Sequence, residues 1–240
     1  MKTSNKILLG FFLALILSVT AVHLALYAKF TSGDFVEQQK AKELFTDHHA
    51  LPSIRFVSIT GLGNCSIIAS GQPALEIKKS GNSPLVFSVI KDTLVINGAP
   101  QMATAILKNG HRNFQEVRLY LPGNTQINIQ YSEVNLKGAA DSLAAPSYVI
   151  HLLNDAALGM PERQVTGAGL YFNSLQVTAS SSKLALDDHT FINDLYIRSV
   201  HSRINLEKAL INHKQLNIDS SSSITVSGKN LKSLQISSEQ

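Results

Sequence analysis

Apolar and polar residues alternate in short runs over most of this chain, and in its last third the alternation repeats. Leu175-Gln-Val177, Leu195-Tyr-Ile197, Leu216-Asn-Ile218 and Leu234-Gln-Ile236 are four versions of one apolar-x-apolar start. They recur at intervals of ~20 residues, the kind of fixed period that marks a stacked repeat. A second pair follows inside each of the first three units: Leu184-Ala-Leu186, Ile204-Asn-Leu206 and Ile224-Thr-Val226. Between the two pairs lie serine-rich stretches, Ser180–Ser182, Ser199–Ser202 and Ser220–Ser223. Period-two alternation puts the apolar residues of a strand on one face. Stacking successive units buries that face as a continuous column, and serine at a corner hydrogen-bonds neighbouring backbone. The pattern predicts an all-β chain built as a single-stranded parallel β-solenoid (β-helix) with ~20-residue coils, Leu184, Ile204 and Ile224 forming one column.

The same reading extends upstream to Leu51. Val57-Ser-Ile59, Ser66-Ile-Ile68, Leu75-Glu-Ile77, Val86–Val89, Leu94-Val-Ile96, Val117–Leu121, Ile127-Asn-Ile129, Val134-Asn-Leu136 and Tyr148–Leu152 are strand-like runs, punctuated by Gly, Asn, Asp and Pro. Ala156 to Gly169 breaks the pattern and reads as an excursion from one coil. Loops on a regular scaffold are where binding tends to sit, so Arg163 and Tyr171 are the candidate contact residues.

The N-terminal pattern is different. Ile7 to Ala28 is an apolar run, long enough to cross a bilayer core of about 30 Å as a helix. Lys2 and Lys6 precede it, Lys29 closes it, and Tyr27 lies where an interfacial aromatic would. It exceeds the ~7–15 apolar residues of a cleaved signal peptide, and no small-x-small site ends it. The chain therefore divides into a tail and transmembrane anchor (1–29), a polar juxtamembrane linker (30–50) and a β-domain (51–240). A single-pass protein of a bacterial inner membrane is expected, with the β-domain in the periplasm. The alternative is export to the cell surface after signal cleavage.

Composition narrows the function classes. The chain is 44% hydrophobic and 16% charged, with a net charge of +4. Its basic residues are scattered without interleaved aromatics, which argues against nucleic-acid binding. The lone cysteine, Cys65, rules out an internal disulfide and reads as a core or corner residue. No phosphate-binding loop, nucleophile elbow, H-E-x-x-H or C-x-x-C pattern occurs. His48-His49 are adjacent and lack a third ligand, so no metal is expected. Ser180-Ser-Ser-Lys183 matches S-x-x-K, but Lys79-Ser-Gly81 comes before it, the reverse of the β-lactamase order. Asp187, Asp188, Asp194 and Glu207 are the local carboxylates that a polysaccharide-acting enzyme could use; the repeat places them at turns, and Asp187-Asp188-His189 reads as a solvated corner. Gly61-Leu-Gly63 lacks the helix and third glycine of a dinucleotide site.

Pro52-x-Ile54, Ile59-x-Gly61, the Leu75-Glu-Ile77 strand and Val89-Ile-Lys-Asp-Thr-Leu94-Val-Ile96 resemble the opening of the auto-transporter adhesin, head GIN domain, family. The resemblance covers roughly Leu51 to Gln240. It implies a β-solenoid of Gram-negative envelopes with a surface-adhesion role, and it carries over no catalytic residues or cofactors. This chain departs from many members in having a long apolar segment where they have a lipoprotein cysteine. The expectation is a non-enzymatic, membrane-anchored binding or scaffold module, adhesin-like, with a glycan or an envelope protein as partner. The alternatives are a polysaccharide-acting enzyme and a structural subunit of a membrane complex.

Overall fold

The computed structural model describes residues 3–31, 46–78, 85–98, 115–160, 170–186, 190–207, 209–228 and 234–237. By internal contacts the chain divides into Met1–Phe45 and Thr46–Gln240. The first unit holds one helix, α1 (Thr3–Thr31). From Leu9 to Ala25 its apolar side chains are exposed all round, Phe11, Leu17 and Leu24 among them. The polar side chains within the run bond the backbone of their own helix: Ser18 Oγ donates to the Leu15 carbonyl (2.8 Å), Thr20 Oγ1 to that of Ile16 (2.8 Å), and His23 Nδ1 lies 3.1 Å from that of Val19. Among the described residues no helix is long and apolar enough to cross a membrane.

The second unit is built of strands. In chain order they are β1 (Thr46–Ala50), β2 (Phe56–Thr60), β3 (Cys65–Ala69), β4 (Ala74–Lys78), β5 (Val86–Ile90), β6 (Thr93–Asn97), β7 (Val117–Leu121), β8 (Thr125–Gln130), β9 (Glu133–Lys137), β10 (Ser147–Leu153), β11 (Ala157–Gly159), β12 (Leu170–Ser180), β13 (Lys183–Ala185), β14 (Thr190–Val200), β15 (Arg203–Leu206), β16 (Leu210–Ile218), β17 (Ser223–Val226) and β18 (Leu234–Ser237). They form two sheets, ordered β1-β4-β7-β3-β9-β11-β13-β15-β17 and β18-β16-β14-β12-β10-β8-β2-β6-β5. From β8 onward the chain alternates between the sheets, and successive strands within each sheet pair in parallel. Leu184, Ile204 and Ile224 are register neighbours, as the repeat predicts. Ile127, Ile150, Val177, Ile197 and Leu216 form the facing column, each 0% exposed.

An uninterrupted parallel solenoid from 51 to 240 is not what the first half contains; the sheets are mixed. β4 runs antiparallel to both β1 and β7, and β5 runs antiparallel to β6. The reason is local. Only Lys91 and Asp92 separate β5 from β6, and Lys91 has φ 58°. A two-residue connection closes a hairpin, whereas parallel neighbours need a longer return path. A second correction falls on the linker: 46–50 is strand β1, whose five residues pair with β4 from Thr46↔Lys78 to Ala50↔Ala74.

The register of the last repeats also differs from the sequence alignment. Leu195 lies beside Lys214, not Leu216, and Leu216 lies beside Ile197. The strands begin earlier than their Leu-x-Ile cores suggest. In β14 and β16 two adjacent residues, Asn193-Asp194 and Asn212-His213, face solvent and interrupt the alternation. The inward position after that interruption is filled in β16 by Lys214, 5% exposed, its Nζ donating to the Ile211 carbonyl at 3.0 Å. Burial shifts its ammonium pKa downward, since desolvation disfavours the charged form.

The serine corners form a ladder. The Ser182 N–H donates to Ser202 Oγ (3.2 Å), and the Ser202 N–H donates to Ser222 Oγ (3.0 Å). Ser182 and Ser202 each donate their own hydroxyl to the carbonyl two residues earlier, of Ser180 and Val200. Two coils back from Ser182, the Leu62 N–H donates to Ser132 Oγ. The residue before each buried serine is left-handed: Tyr131 (φ 49°), Ser181 (50°) and His201 (50°). The corner thus bends sharply and leaves its inward hydroxyl to satisfy backbone groups that the bend removes from the sheets.

Candidate functional site

Where the corner after β9 is lengthened, the surface opens into a cleft of about 560 Å³. Its walls are the end of β3 with the following turn (Ala69, Ser70, Gly71), the turn after β7 (Pro122, Gly123, Asn124), Ala139 and the stretch Leu143–Ser147, and Asn173 of β12.

Residues 138–146, Gly-Ala-Ala-Asp-Ser-Leu-Ala-Ala-Pro, hold no apolar alternation, so they cannot continue a strand and instead form a shelf. A single 3-10 turn (Ser142–Ala144) sits on it, capped by Asp141, whose Oδ1 accepts the Leu143 N–H at 3.0 Å. The cap presents Leu143 to solvent, 95% exposed, at the rim. The shelf is held down from below: the Ala139 N–H donates to the Tyr171 carbonyl (3.1 Å) and the Tyr171 N–H returns a bond to the Ala139 carbonyl (3.0 Å). That approach needs Gly138, because a Cβ there would stand 2.5 Å from the Tyr171 carbonyl oxygen and 2.9 Å from the Phe172 ring.

The opposite wall is equally fixed. Asn124 is left-handed (φ 67°), and its N–H donates to the Ser147 carbonyl at 2.7 Å. The Asn173 N–H donates to the Pro146 carbonyl (2.9 Å), and its Nδ2 donates to Ser147 Oγ (3.2 Å). Every side chain lining the cleft is uncharged. Alanine, proline and leucine offer apolar contact, while Ser70, Asn124, Ser147 and Asn173 offer hydroxyl and amide groups. Such a surface can hold a neutral ligand; it contains no acid, base or thiolate with which to transform one.

Tyr171 is the second residue of β12, and its ring stacks on that of Phe191 at 5.0 Å; its backbone braces the shelf. Arg163, Asp187, Asp188 and His189 lie outside the described residues. Asp194 does meet a histidine, Oδ1 lying 3.1 Å from His213 Nδ1, but both are largely exposed, and Asn193 Nδ2 donates to the other carboxylate oxygen at 2.8 Å. Glu207 follows β15 in the other sheet, its N–H donating to Asn205 Oδ1. Asp194 and Glu207 are therefore carried by different sheets. Cys65 is fully buried, which pushes its thiol up to about 12; it is a core residue. Among the described residues no group of three or more metal-ligating side chains converges.

A charged cluster lies on the outer face of the first sheet. His48 Nδ1 is 3.4 Å from Glu76 Oε1, Arg118 Nη1 is 3.9 Å from Glu76 Oε2, and Lys78 Nζ is 3.3 Å from Glu116 Oε2. Arg118 also pairs with Glu116. Burial opposes ionisation of Glu116, yet Arg118 and Lys78 together hold its carboxyl below the usual carboxylate range. These groups are paired with one another, which makes the cluster a fastening between β1, β4 and β7. The adjacency of His48 to Glu76 arises from the β1–β4 register and had no signal in sequence.

No family model matches this chain, and no curated protein matches it. Several solved structures match this chain at low similarity. A "putative lipid binding protein" from Parabacteroides distasonis matches with a TM-score of 0.42 at 11% identity, over 81% of this chain and 96% of that one. A "putative adhesin" from Parabacteroides merdae matches at 0.40 and 8% identity, over 81% and 95%. A "putative adhesin" from Bacteroides fragilis matches at 0.40 and 12% identity, over 80% and 93%. At these scores and identities the likeness says nothing of what this chain binds.

Proposed function

We propose that this chain is a non-enzymatic binding module of a bacterial cell envelope, adhesin-like, which takes a neutral, hydroxyl-rich ligand such as a glycan in the cleft between Asn124, Leu143 and Asn173. The observation that carries the reading is the lining of that cleft: small apolar groups beside amides and hydroxyls, with no charge. Amide groups satisfy sugar hydroxyls in both donor and acceptor directions, and the alanine, proline and leucine surfaces suit the C–H faces of a ring. In this proposal the parallel ladders from β8 to β18 are the coils of a β-solenoid, and the chain is a divergent member of the head GIN domain family. In this proposal Ile7 to Ala28 attaches the chain to the inner membrane, with the β-domain in the periplasm; what supports the reading is the sequence, an apolar run flanked by Lys2, Lys6 and Lys29 with Tyr27 near its end.

The test uses the full chain in detergent micelles on an array of neutral and charged glycans, with Leu143→Asp and Asn173→Ala beside it, and a parallel assay for polysaccharide cleavage. Leu143 is exposed, so its substitution leaves the fold alone while placing a charge at the rim. Expected is binding of neutral glycans without turnover, weakened at least tenfold by either substitution. Binding unchanged by both would remove the cleft from the proposal. Cleavage abolished by Asp194→Ala would establish the enzymatic alternative, and capture of envelope proteins without glycan binding would favour a structural subunit.

A further inference from the structure

The strand at the end of the second sheet carries an inference independent of the cleft. β5 is an edge strand whose one neighbour among the described residues is β6. Its sequence is Val86-Phe-Ser-Val-Ile90. Phe87 and Val89 pack inward against the core, while Val86 (45%) and Ile90 (62%) are exposed on the outer face. Natural sheets guard such edges with charges, prolines, bulges or inward-pointing polar groups, because unpaired N–H and C=O groups are a template for another chain. The two edges of the first sheet follow this rule in part: β1 carries Asp47, His48 and His49, and β17 turns Ser223 and Thr225 outward. β5 has no charge, proline or inward polar group, and Ser88 is its one polar side chain.

We propose that β5 is the pairing edge for β5 of a second copy of this chain, antiparallel about a two-fold axis through Ser88. The argument for a second copy is the symmetry of the strand itself. A two-fold interface must be self-complementary, and Val-Phe-Ser-Val-Ile is apolar at matching distances on either side of its central serine. Antiparallel pairing about Ser88 sets Val86 against the partner subunit's Ile90 and Phe87 against the partner subunit's Val89. Apolar meets apolar on both faces, the arrangement that stabilises cross-strand pairs, and no charged side chain lies within the paired residues. A register slipped by one residue would set inward side chains against outward ones, so the pleat selects one alignment. One short strand per copy buries well under the ~1,000 Å² of a standard stable interface. The association is therefore weak in dilute solution and shows itself at high local density.

The test is cysteine cross-linking of the full chain in cell membranes. Ser88 is exposed, and the natural Cys65 is buried and does not compete. Under mild oxidation Ser88→Cys is expected to give a disulfide-linked dimer on a non-reducing gel. Gln176→Cys, exposed in the middle of the same sheet, is expected to give at least fivefold less. Adding Ile90→Lys to Ser88→Cys should lower the dimer by a similar factor, since Ile90 is exposed and the added charge opposes the partner's apolar Val86. Cross-linking at Ser88 no greater than at Gln176, or unchanged by Ile90→Lys, overturns the proposal. So does a β5 that captures a strand of some other protein while giving no self-linked dimer.

Discussion

Leu206 tests the stacked core most directly. It is 0% exposed in β15 and register neighbour to Val226, while the next residue back, Asn205, faces solvent on the same strand. Truncating a fully buried leucine to alanine costs about 2–5 kcal/mol, depending on how far the site collapses. Leu206→Asp puts a carboxylate into a fully buried position, so the expected loss at pH 7 exceeds that of the alanine variant and amounts to several kcal/mol. The sign with pH can be worked out. Burial raises the folded-state pKa of the new carboxyl above its unfolded value of about 3.9. The variant is then least damaged below pH ~4, where both states are protonated, and loses stability as pH rises through the folded-state value. Urea denaturation of the full chain in detergent, at pH 4 and pH 7, measures this. Leu206→Asn serves as the neutral control and Asn205→Asp as the exposed one, which should stay within about 0.5 kcal/mol of the parent. A Leu206→Asp variant no weaker than Asn205→Asp, or one equally stable at both pH values relative to Leu206→Asn, would refute the assignment of this position to a sealed interior.

Three further outcomes are expected. Gly138→Ala should lower Tm by several degrees and weaken ligand retention in the cleft, because its Cβ would collide with the Tyr171 carbonyl 2.5 Å away; an unchanged Tm would mean the shelf shifts freely. Asp219 has its pKa lowered to about 2 by hydrogen bonds from the Ser221 and Ser222 hydroxyls and the His201 N–H. Its depressed value contributes stability that is present above about pH 4 and lost as pH falls toward 2, so the Tm–pH profile of Asp219→Asn should be flatter over that window than the parent's. Lys214→Met should raise the unfolding free energy measured by urea denaturation by an amount on the order of 1 kcal/mol at neutral pH, since it removes a buried ammonium while keeping the stem's volume; a loss of stability would show that the bond to the Ile211 carbonyl outweighs the desolvation.

The strands of the second unit were legible because a half-buried strand writes its period into the sequence: the Leu184–Ile204–Ile224 column could be read from spacing alone. The alignment of Leu195 with Leu216 failed for a physical reason. A lysine occupies the true counterpart, and an apolar template passes over a buried Lys214 to the next leucine. The mixed sheets were less legible. Lys91-Asp92 between two alternating runs is a hairpin signal, but the antiparallel placement of β4 depends on β7 arriving between it and β3 from far along the chain. Strand β1 was missed because Thr-Asp-His-His-Ala reads as solvated linker; its polar residues reflect an exposed edge, and Glu76 opposite His48 completes the fit. The cleft left almost no trace. Alanine, glycine and serine between 138 and 147 carry no chemistry in sequence, and their meaning comes from Asn124 and Asn173, which the fold brings to the same place.

The second sheet also changes character along its length, and the change is polar. The column that starts with Ile129 and Leu152 continues through Ala179 to Ser199. Thr190 Oγ1 and Ser199 Oγ are buried and have no hydrogen-bond partner among the described residues. Lys214 then takes the position after Leu195. A buried hydroxyl left without a partner costs roughly 1–3 kcal/mol, whereas a leucine in the same column would contribute its own burial. The interior around β14 and β16 is thus weaker per residue than the interior around β2, β8 and β10, where Ile59, Ile127, Ile129 and Ile150 are all fully buried. What offsets the loss lies outside the core. Corner serines satisfy one another's backbone from Ser182 to Ser222, and Asn212 Nδ2 donates to Asn193 Oδ1 at 3.2 Å across the exposed interruption. Toward β16, stability shifts from apolar columns to hydrogen-bonded ladders at the corners. This is why removing the Lys214 charge is expected to strengthen that end of the sheet, while a charge at Leu206 opens a column that is still apolar.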